Sequence, residues 1–479
     1  VAEAGGAPRR VAVVGGGVAG LATALGLLDR AGEEGVELDV TVFEAAPVPG
    51  GNLRTLREGG WQLEWGPNGF LDNEPATLQL VERLGLSRVL QPSSDATRRR
   101  FLLRDGRLHE IPTAPGAFLR SGLISIPGKL RMAAEVLIPR KRDLGRAAED
   151  PDTDETVAAF GTRRLGREFT EIMLDPMVKG IFGGEATRLS LAAAFPRMVE
   201  LERDHGGLFR ALVAISRERR ARADAGPSGT LHSFVGGMQT LVEALAMELE
   251  ADPRARLRTA APVEALDPGG DGWHVRGPGL SEGPFHVVVD AAPAWAAAHH
   301  LEAVAPSVAR ELAAIPFAPM AVIALGFPRD RVEHDLEGFG LLIPGRERRE
   351  VLGVLWTSSI FPGRAPEGHV LLRVMAGGAG NPGIMERDDG ALVATALGEL
   401  GPLLGIRGEP VLARVIRHER AIAQYEPGHL ARLARVDREL EHLRGLVLTG
   451  SSYRGISVNA CVREAGEVAL RVIESLREA

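Results

Sequence analysis

Cysteine is almost missing from this 479-residue chain: Cys461 is the only one, which excludes an intrachain disulfide framework and any cysteine-built metal cluster. A reducing compartment fits that scarcity. Tyrosine is nearly as rare, and the two present, Tyr425 and Tyr453, give little material for an aromatic cage around a cation. No stretch approaches the roughly 20 apolar residues of a membrane-spanning helix, and the N-terminal region lacks a signal-like apolar run. The expected location is therefore cytoplasmic, with peripheral contact on the cytoplasmic face of a membrane as its variant. Excess positive charge is also lacking: the formal net charge is -7 and the pI is near 6.0. Nucleic acid is accordingly not an expected partner. Two short basic runs, "TRRRF" at 97–101 and "PRKRD" at 139–143, read as solvated faces. Repeats and low-complexity tracts are absent, and a 45% hydrophobic composition at this length suits two or three domains with a sizeable core.

What is present starts with "VAVVGGGVAGLATAL", residues 11–25. Val11 to Val14 read as a buried parallel strand, and Gly15, Gly17 and Gly20 form G-x-G-x-x-G before an apolar helical face that includes Val18, Leu21, Ala22 and Leu25. Such a loop turns tightly at the first glycine, brings backbone up to a pyrophosphate at the second and lets helix meet strand at the third; the helix N-terminus adds partial positive charge. The next strand, "LDVTVFE", delivers Glu44, an acceptor for ribose hydroxyls. At this point a nicotinamide and a flavin dinucleotide are both open.

"PGGNLRT" at 49–55 follows Glu44 closely, and "LRGLVLTGSSYRGISVNACVREAGEVALRVIESL" near the other end reads as strand, loop and amphipathic helix. Both resemble the flavin-containing amine-oxidase superfamily. In that resemblance Gly50, Gly51 and Arg54 run along the flavin and its diphosphate, and the late segment, with Gly450, Ser457 and Val458, caps the cofactor. Val18 and Ala19 join Gly15, Gly17 and Gly20 at the diphosphate, and Val263 in "PVEAL" matches the valine whose backbone meets the adenine. The cofactor implied is FAD, held non-covalently, with Cys461 packed rather than bonded to it.

"WQLEWGPNGFLDNEP" (61–75), "RFLLRDGRLHEIPTAP" (100–115), "GIFGGEATRLSLAAAFPRMVELERDHGG" (180–207), "GFGLLIP" (338–344) and "AQYEPGHL" (423–430) are similar, in order, to the protoporphyrinogen oxidases within that superfamily. The resemblance implies an α/β fold: a Rossmann-type FAD-binding domain from 1–90, 230–295 and 411–479, a mixed-sheet substrate domain from 91–112 and 296–410, and a helical, membrane-contacting lobe over 113–229. It implies six-electron oxidation of protoporphyrinogen IX to protoporphyrin IX in haem biosynthesis, with dioxygen as acceptor and hydrogen peroxide as product. Gly66, Pro67, Asn68 and Gly69 would pass the isoalloxazine ring, where glycines let backbone approach a flat surface. Arg100 would meet a substrate carboxylate, and Phe339, Leu342, Leu352 and Met375 would sandwich the macrocycle. No general base is assigned; His205 and His429 read as structural. One departure from the family is Ala460 in "NAC", where many members carry an aspartate. A membrane surface, a ferrochelatase-like acceptor of the product and a homodimer are further partners that the resemblance brings in. The competing readings are coproporphyrinogen III oxidation by the same chemistry, an amine oxidase or carotenoid desaturase, a nicotinamide dehydrogenase, and a non-catalytic FAD-containing porphyrin carrier.

Overall fold

The inner strands of the first sheet are buried on both sides, which is why their sequences are largely apolar without alternation. In the computed structural model, which describes residues 7–222 and 229–478, five parallel strands lie in the order Ala255–Arg258, Leu38–Phe43, Arg9–Val14, Val287–Asp290, Leu446–Leu448. Val11, Val13, Val40 and Val42 point to one face, into a core with the helices Val18–Glu34, Gln239–Ala251 and Val458–Glu478. Ala12, Val14 and Phe43 point to the other, where an antiparallel meander of Ala265–Gly269, Gly272–Gly277 and Leu280–Phe285 covers them with Trp273, Val275 and Phe285. The first and last helices approach closely because Gly26 faces Ala469: a Cβ on Gly26 would stand 3.2 Å from that of Ala469. Both ends of the chain thus build one nucleotide-type sheet.

The second sheet has seven strands in the order Leu412–Ala423, Phe317–Pro328, His369–Gly377, Val351–Leu355, Gly340–Leu342, Phe101–Arg104, Arg107–Glu110. Its pairs are antiparallel except Gly340–Leu342 with Phe101–Arg104, so the sheet is mixed. One face is closed by the helix Asp389–Leu404 through Leu392, Ala396 and Leu400. The strand Leu412–Ala423 departs from the sequence reading, which grouped 411–479 with the FAD-binding part. It runs antiparallel along Phe317–Pro328, where its backbone groups are satisfied, and the chain rejoins the first sheet after the helix His429–Leu440.

Between these sheets in sequence, the described residues from 111 to 222 form helices and turns, with one isolated bridge between Thr156 and Ser190. Charge holds this lobe together inside. Arg164, Glu135 and Glu202 are fully buried; Arg164 reaches Glu202 at 3.0 Å and Glu135 at 3.3 Å, and Arg163 bonds Glu202 at 2.9 Å and Glu155 at 2.6 Å. Glu135 also accepts from the Leu208 amide at 2.8 Å, so one buried carboxylate ties Arg164 to the start of the helix Leu208–Arg222. No helix among the described residues is long and apolar enough to cross a membrane.

Candidate functional site

The glycine loop shows three different demands for glycine. Gly15 has φ +104° and lies against Ala291. A Cβ on Gly20 would stand 1.9 Å from the Gly15 carbonyl oxygen, so helix and loop meet backbone to backbone. Gly17 is the opposite case: nothing lies within 4 Å of where its Cβ would be, and as N-cap it provides no side chain for the helix amides of Val18 and Ala19. Open space in front of a helix start suits an anionic group.

Other segments converge on that space. Gly50 donates its amide to the Gly16 carbonyl at 2.7 Å, and the Cβ position of Gly51 lies 3.4 Å from the Gly17 Cα. Gly450, with φ +111°, comes back beside Ala291 and Ala19. Ser457 caps the last helix by accepting from the Ala460 amide at 3.1 Å, and Val458 is buried in the shared core. Glu44, just past its strand, accepts from the amides of Gly16 and Ala46, both at 2.7 Å. Each carboxylate oxygen keeps a second acceptor position for a ligand. Ala261 donates to the Glu44 carbonyl at 2.9 Å, which places Val263 two residues further on at this end of the site.

Arg54 links the loop to the next part. Its guanidinium lies 5.4 Å from the Trp65 ring, and its Nε is buried without a partner. Asn68 is 8% exposed, yet both polar atoms of its side chain lack partners. An unpaired buried amide costs about 1–3 kcal/mol per group, so this position is built for a ligand with donors and acceptors along its edge. These orphaned groups, together with the cradle at Gly17, fit a flavin dinucleotide. Gly66 and Gly69 also meet a packing demand from the protein itself. Their Cβ positions would stand 2.4 Å from the carbonyl oxygens of Asn52 and His232, so glycine lets this segment pack backbone to backbone on that side. Pro67 lies half-buried between Gly66 and Asn68.

Beside this loop the seven-stranded sheet presents an apolar row. Register aligns Ile416, Val322, Met375, Gly353, Leu342 and Leu102 across six strands. An irregularity between Val351 and Gly353 shifts Leu352, which packs with Met375, Trp65, Met320 and Ile416. The helix Asp175–Phe182 and the glycine after it press on this floor: a Cβ on Gly180 would stand 2.8 Å from Leu342, and one on Gly183 would stand 2.7 Å from Met320. Leu352 and Met375 are thus brought together beside Trp65, with Leu342 further along the row. Arg100 and Phe339 form a separate pair at the rim, the guanidinium 5.4 Å from the ring centre. Arg98 pairs with Asp95 and Arg99 with Glu110 and Asp335, but Arg100 is exposed with no carboxylate at ion-pair distance among the described residues.

Sequence reasoning missed Trp65, Arg373 and His418. His418 Nε2 lies 3.0 Å from the Trp65 carbonyl oxygen, and Arg373 Nη2 donates to that of Gly66 at 2.6 Å. Burial lowers Arg373 to about 10, still protonated at neutral pH, and burial likewise lowers His418. A signal existed: in "HVLLRVMAG" an arginine occupies an inward position between Leu371 and Met375. His429 stacks on Tyr425 with ring centres 4.3 Å apart and its Nε2 is 2.8 Å from the Tyr453 carbonyl oxygen; burial pushes it down to about 4, a structural role. Burial also pushes the Cys461 thiol up to about 12, far from a reactive thiolate. At the departure point, Ala460 fits closely: its Cβ lies 2.4 Å from the Cβ position of Gly455.

With two chain ends, a glycine cradle and orphaned amides around one cleft, comparison with known proteins decides the family. The model for flavin containing amine oxidoreductases matches residues 18–473. The chain belongs to the flavin containing amine oxidoreductases. It is 29% identical to coproporphyrinogen III oxidase of Bacillus subtilis, covering 95% of this chain and 96% of that one. It is 32% identical to the Propionibacterium freudenreichii enzyme of the same name, covering 97% and 90%, and 31% identical to the chloroplastic protoporphyrinogen oxidase of rice, covering 97% and 88%. A crystal structure from an Exiguobacterium species, provisionally named a protoporphyrinogen oxidase, superposes with a TM-score of 0.78 at 25% identity, covering 98% of this chain and 99% of that one. This member of the flavin containing amine oxidoreductases is an FAD-dependent oxidoreductase of that fold, and FAD is its cofactor.

Proposed function

We propose that this oxidoreductase oxidises a porphyrinogen, with protoporphyrinogen IX as substrate and dioxygen as the final electron acceptor. The observation that carries the reading is the half-buried apolar floor of Leu342, Leu352 and Met375, which starts beside the cofactor loop at Trp65 and has the uncommitted cation Arg100 at its rim. A flat tetrapyrrole needs an apolar bed, and its propionate needs a guanidinium fork. Full-length relatives bear porphyrinogen oxidase names, which supports the same substrate class.

When bound, flavin accepts two electrons as a hydride, so a six-electron oxidation takes three rounds and yields three hydrogen peroxide molecules per porphyrin. The protein's part is to place a bridge carbon and keep out water. Arg54 and Asn68 hold the cofactor edge, Gly17 with Gly50 and Gly51 makes room for its diphosphate, and Glu44 and Val263 receive its adenosine end. Phe339 keeps Arg100 extended over the rim, where the guanidinium anchors a propionate and sets the macrocycle's orientation.

Commitment of neighbouring cations is consistent with the dicarboxylate substrate. Two other cations at the floor are committed, Arg373 to the Gly66 carbonyl and Lys179 to Asp175 at 3.2 Å. The names of the two bacterial relatives favour the second reading, coproporphyrinogen III with its four propionates. Peripheral membrane contact belongs to the same proposal. Leu119, Ile126, Leu130 and Leu137 are 55, 73, 68 and 80% exposed on the lobe, interleaved with Arg120, Lys129 and Arg140.

Arg100→Ala tests the assignment. A charge-assisted hydrogen bond contributes roughly 1.5–3 kcal/mol, so KM for the porphyrinogen should rise about tenfold to a hundredfold with kcat changed little. An unchanged KM would remove Arg100 from the site, and absence of any porphyrin or peroxide from the wild-type protein would remove the function.

A further inference from the structure

Two consecutive carbonyls of the cofactor loop, Trp65 and Gly66, turn toward the seven-stranded sheet and are met there by His418 and Arg373. The second partner is costly. Arg373 is 8% exposed, its Nε has no partner, and its Nη1 finds only Met375 Sδ at 3.7 Å. Glu64, the carboxylate that favours its charge, is already paired with Arg364 at 3.4 Å. A neutral amide could donate to the Gly66 carbonyl at far smaller desolvation cost, so a hydrogen bond alone does not account for a buried guanidinium here. A fixed positive charge next to the loop does something an amide cannot.

Reduction of a flavin by hydride brings two electrons and one proton and leaves negative charge on the ring. We propose that Arg373 is a positioning residue that acts through the Gly66 peptide: it fixes the loop against the ring and sets a permanent cation where the reduced ring gains negative charge. This rests on the reading under which residues 66–69 lie along the isoalloxazine. A preorganised charge in a dry setting favours the charge-developing state without needing to reorganise when the electrons arrive.

The test compares wild-type holoenzyme with Arg373→Gln, which keeps a donor and removes the charge, and Arg373→Lys, which keeps the charge. The readout is the midpoint potential of the bound flavin, by equilibration with a reference dye. Arg373→Gln should make two-electron reduction about tenfold less favourable, a drop of ~30 mV, with KM for the porphyrinogen unchanged and flavin reduction slower. Arg373→Lys should stay within about 10 mV of wild type. A wild-type potential in Arg373→Gln, or equal shifts in both variants, would overturn the proposal. Should Arg373→Gln purify without flavin, the wild-type protein supplies the second measurement, the dependence of potential on pH on the acid side of neutrality. A cation-stabilised anionic ring takes up one proton per two electrons, and the potential changes by ~30 mV for each tenfold change in proton activity. A slope twice as steep means a neutral reduced ring and overturns the proposal as well. Failure of the functional reading looks different: wild-type protein whose flavin is present, with a measurable potential, but does not bleach with any porphyrinogen.

Discussion

Gly17 and Gly20 belong to one motif, yet the structure gives them separable jobs, and alanine at each should fail differently. At Gly17 a Cβ meets nothing within 4 Å, and the backbone there, φ -78° and ψ 178°, suits any residue. The cost to the fold is the modest preference for glycine over alanine at an N-cap, about 1 kcal/mol or less. The methyl would, however, occupy the space assigned to the diphosphate, in front of the helix amides. A displacement that loses one or two charge-assisted hydrogen bonds weakens flavin binding by roughly 2–4 kcal/mol, about thirtyfold to a thousandfold. At Gly20 the Cβ would stand 1.9 Å from the Gly15 carbonyl oxygen, backbone on which nothing can rotate away. Helix and strand must separate by more than an ångström, and overpacking of that size costs about 3 kcal/mol or more. The assay pairs thermal melting of deflavinated protein with flavin titration by fluorescence quenching. Gly17→Ala should melt close to wild type and bind flavin poorly, and Gly20→Ala should lose both. Wild-type flavin affinity in Gly17→Ala, or a wild-type melt in Gly20→Ala, would refute the loop geometry.

The lobe should be acid-sensitive through Glu202. Burial alone would raise its pKa, but the bonds from Arg163 and the Lys141 amide and the charges of Arg163 and Arg164 outweigh burial and hold it below the ordinary range. A depressed carboxylate stabilises fully above its unfolded value, near 4.3, and loses that contribution as pH falls through the lower folded value. Glu202→Gln leaves Arg164 short of a buried partner and should destabilise by about 3–5 kcal/mol at neutral pH, with a smaller difference from wild type in acid; melts at both pH values check this. Cys461, buried with its thiol raised to about 12, should resist iodoacetamide in the native protein, and Cys461→Ser should keep its flavin. Acid precipitation should release all flavin to the supernatant, and any that stays with the pellet counts against non-covalent binding.

The nucleotide sheet was legible because its demands are local: a turn, an open cradle and a backbone contact each require glycine within ten residues, and a doubly covered strand must be apolar. The substrate floor was not. Ile416, Val322, Met375, Leu342 and Leu102 come from five separate strands, and only register puts them in one row. Resemblance named three of its side chains, Leu342, Leu352 and Met375, without showing that Trp65 joins the latter two. The strand Leu412–Ala423 was grouped with its sequence neighbours, although its pairing partner lies about a hundred residues earlier in the chain. Arg164 and Glu202 gave no sequence signal, since charge on a helix is usually solvated; here they face each other inside the lobe. Gly66 and Gly69 were singled out for a ring contact, but their close packing on the backbones of Asn52 and His232 could not be read from the sequence, because those partners lie at a distance along the chain.

The most direct test of the account is anaerobic mixing of the purified holoenzyme with protoporphyrinogen IX and, separately, with coproporphyrinogen III, following flavin absorbance before air is admitted. Protoporphyrinogen IX should bleach the flavin fast, with return of the yellow colour and rising porphyrin fluorescence when air enters. Faster bleaching by coproporphyrinogen III would move the substrate to the second reading, and flavin that stays oxidised with both would contradict porphyrinogen oxidation altogether.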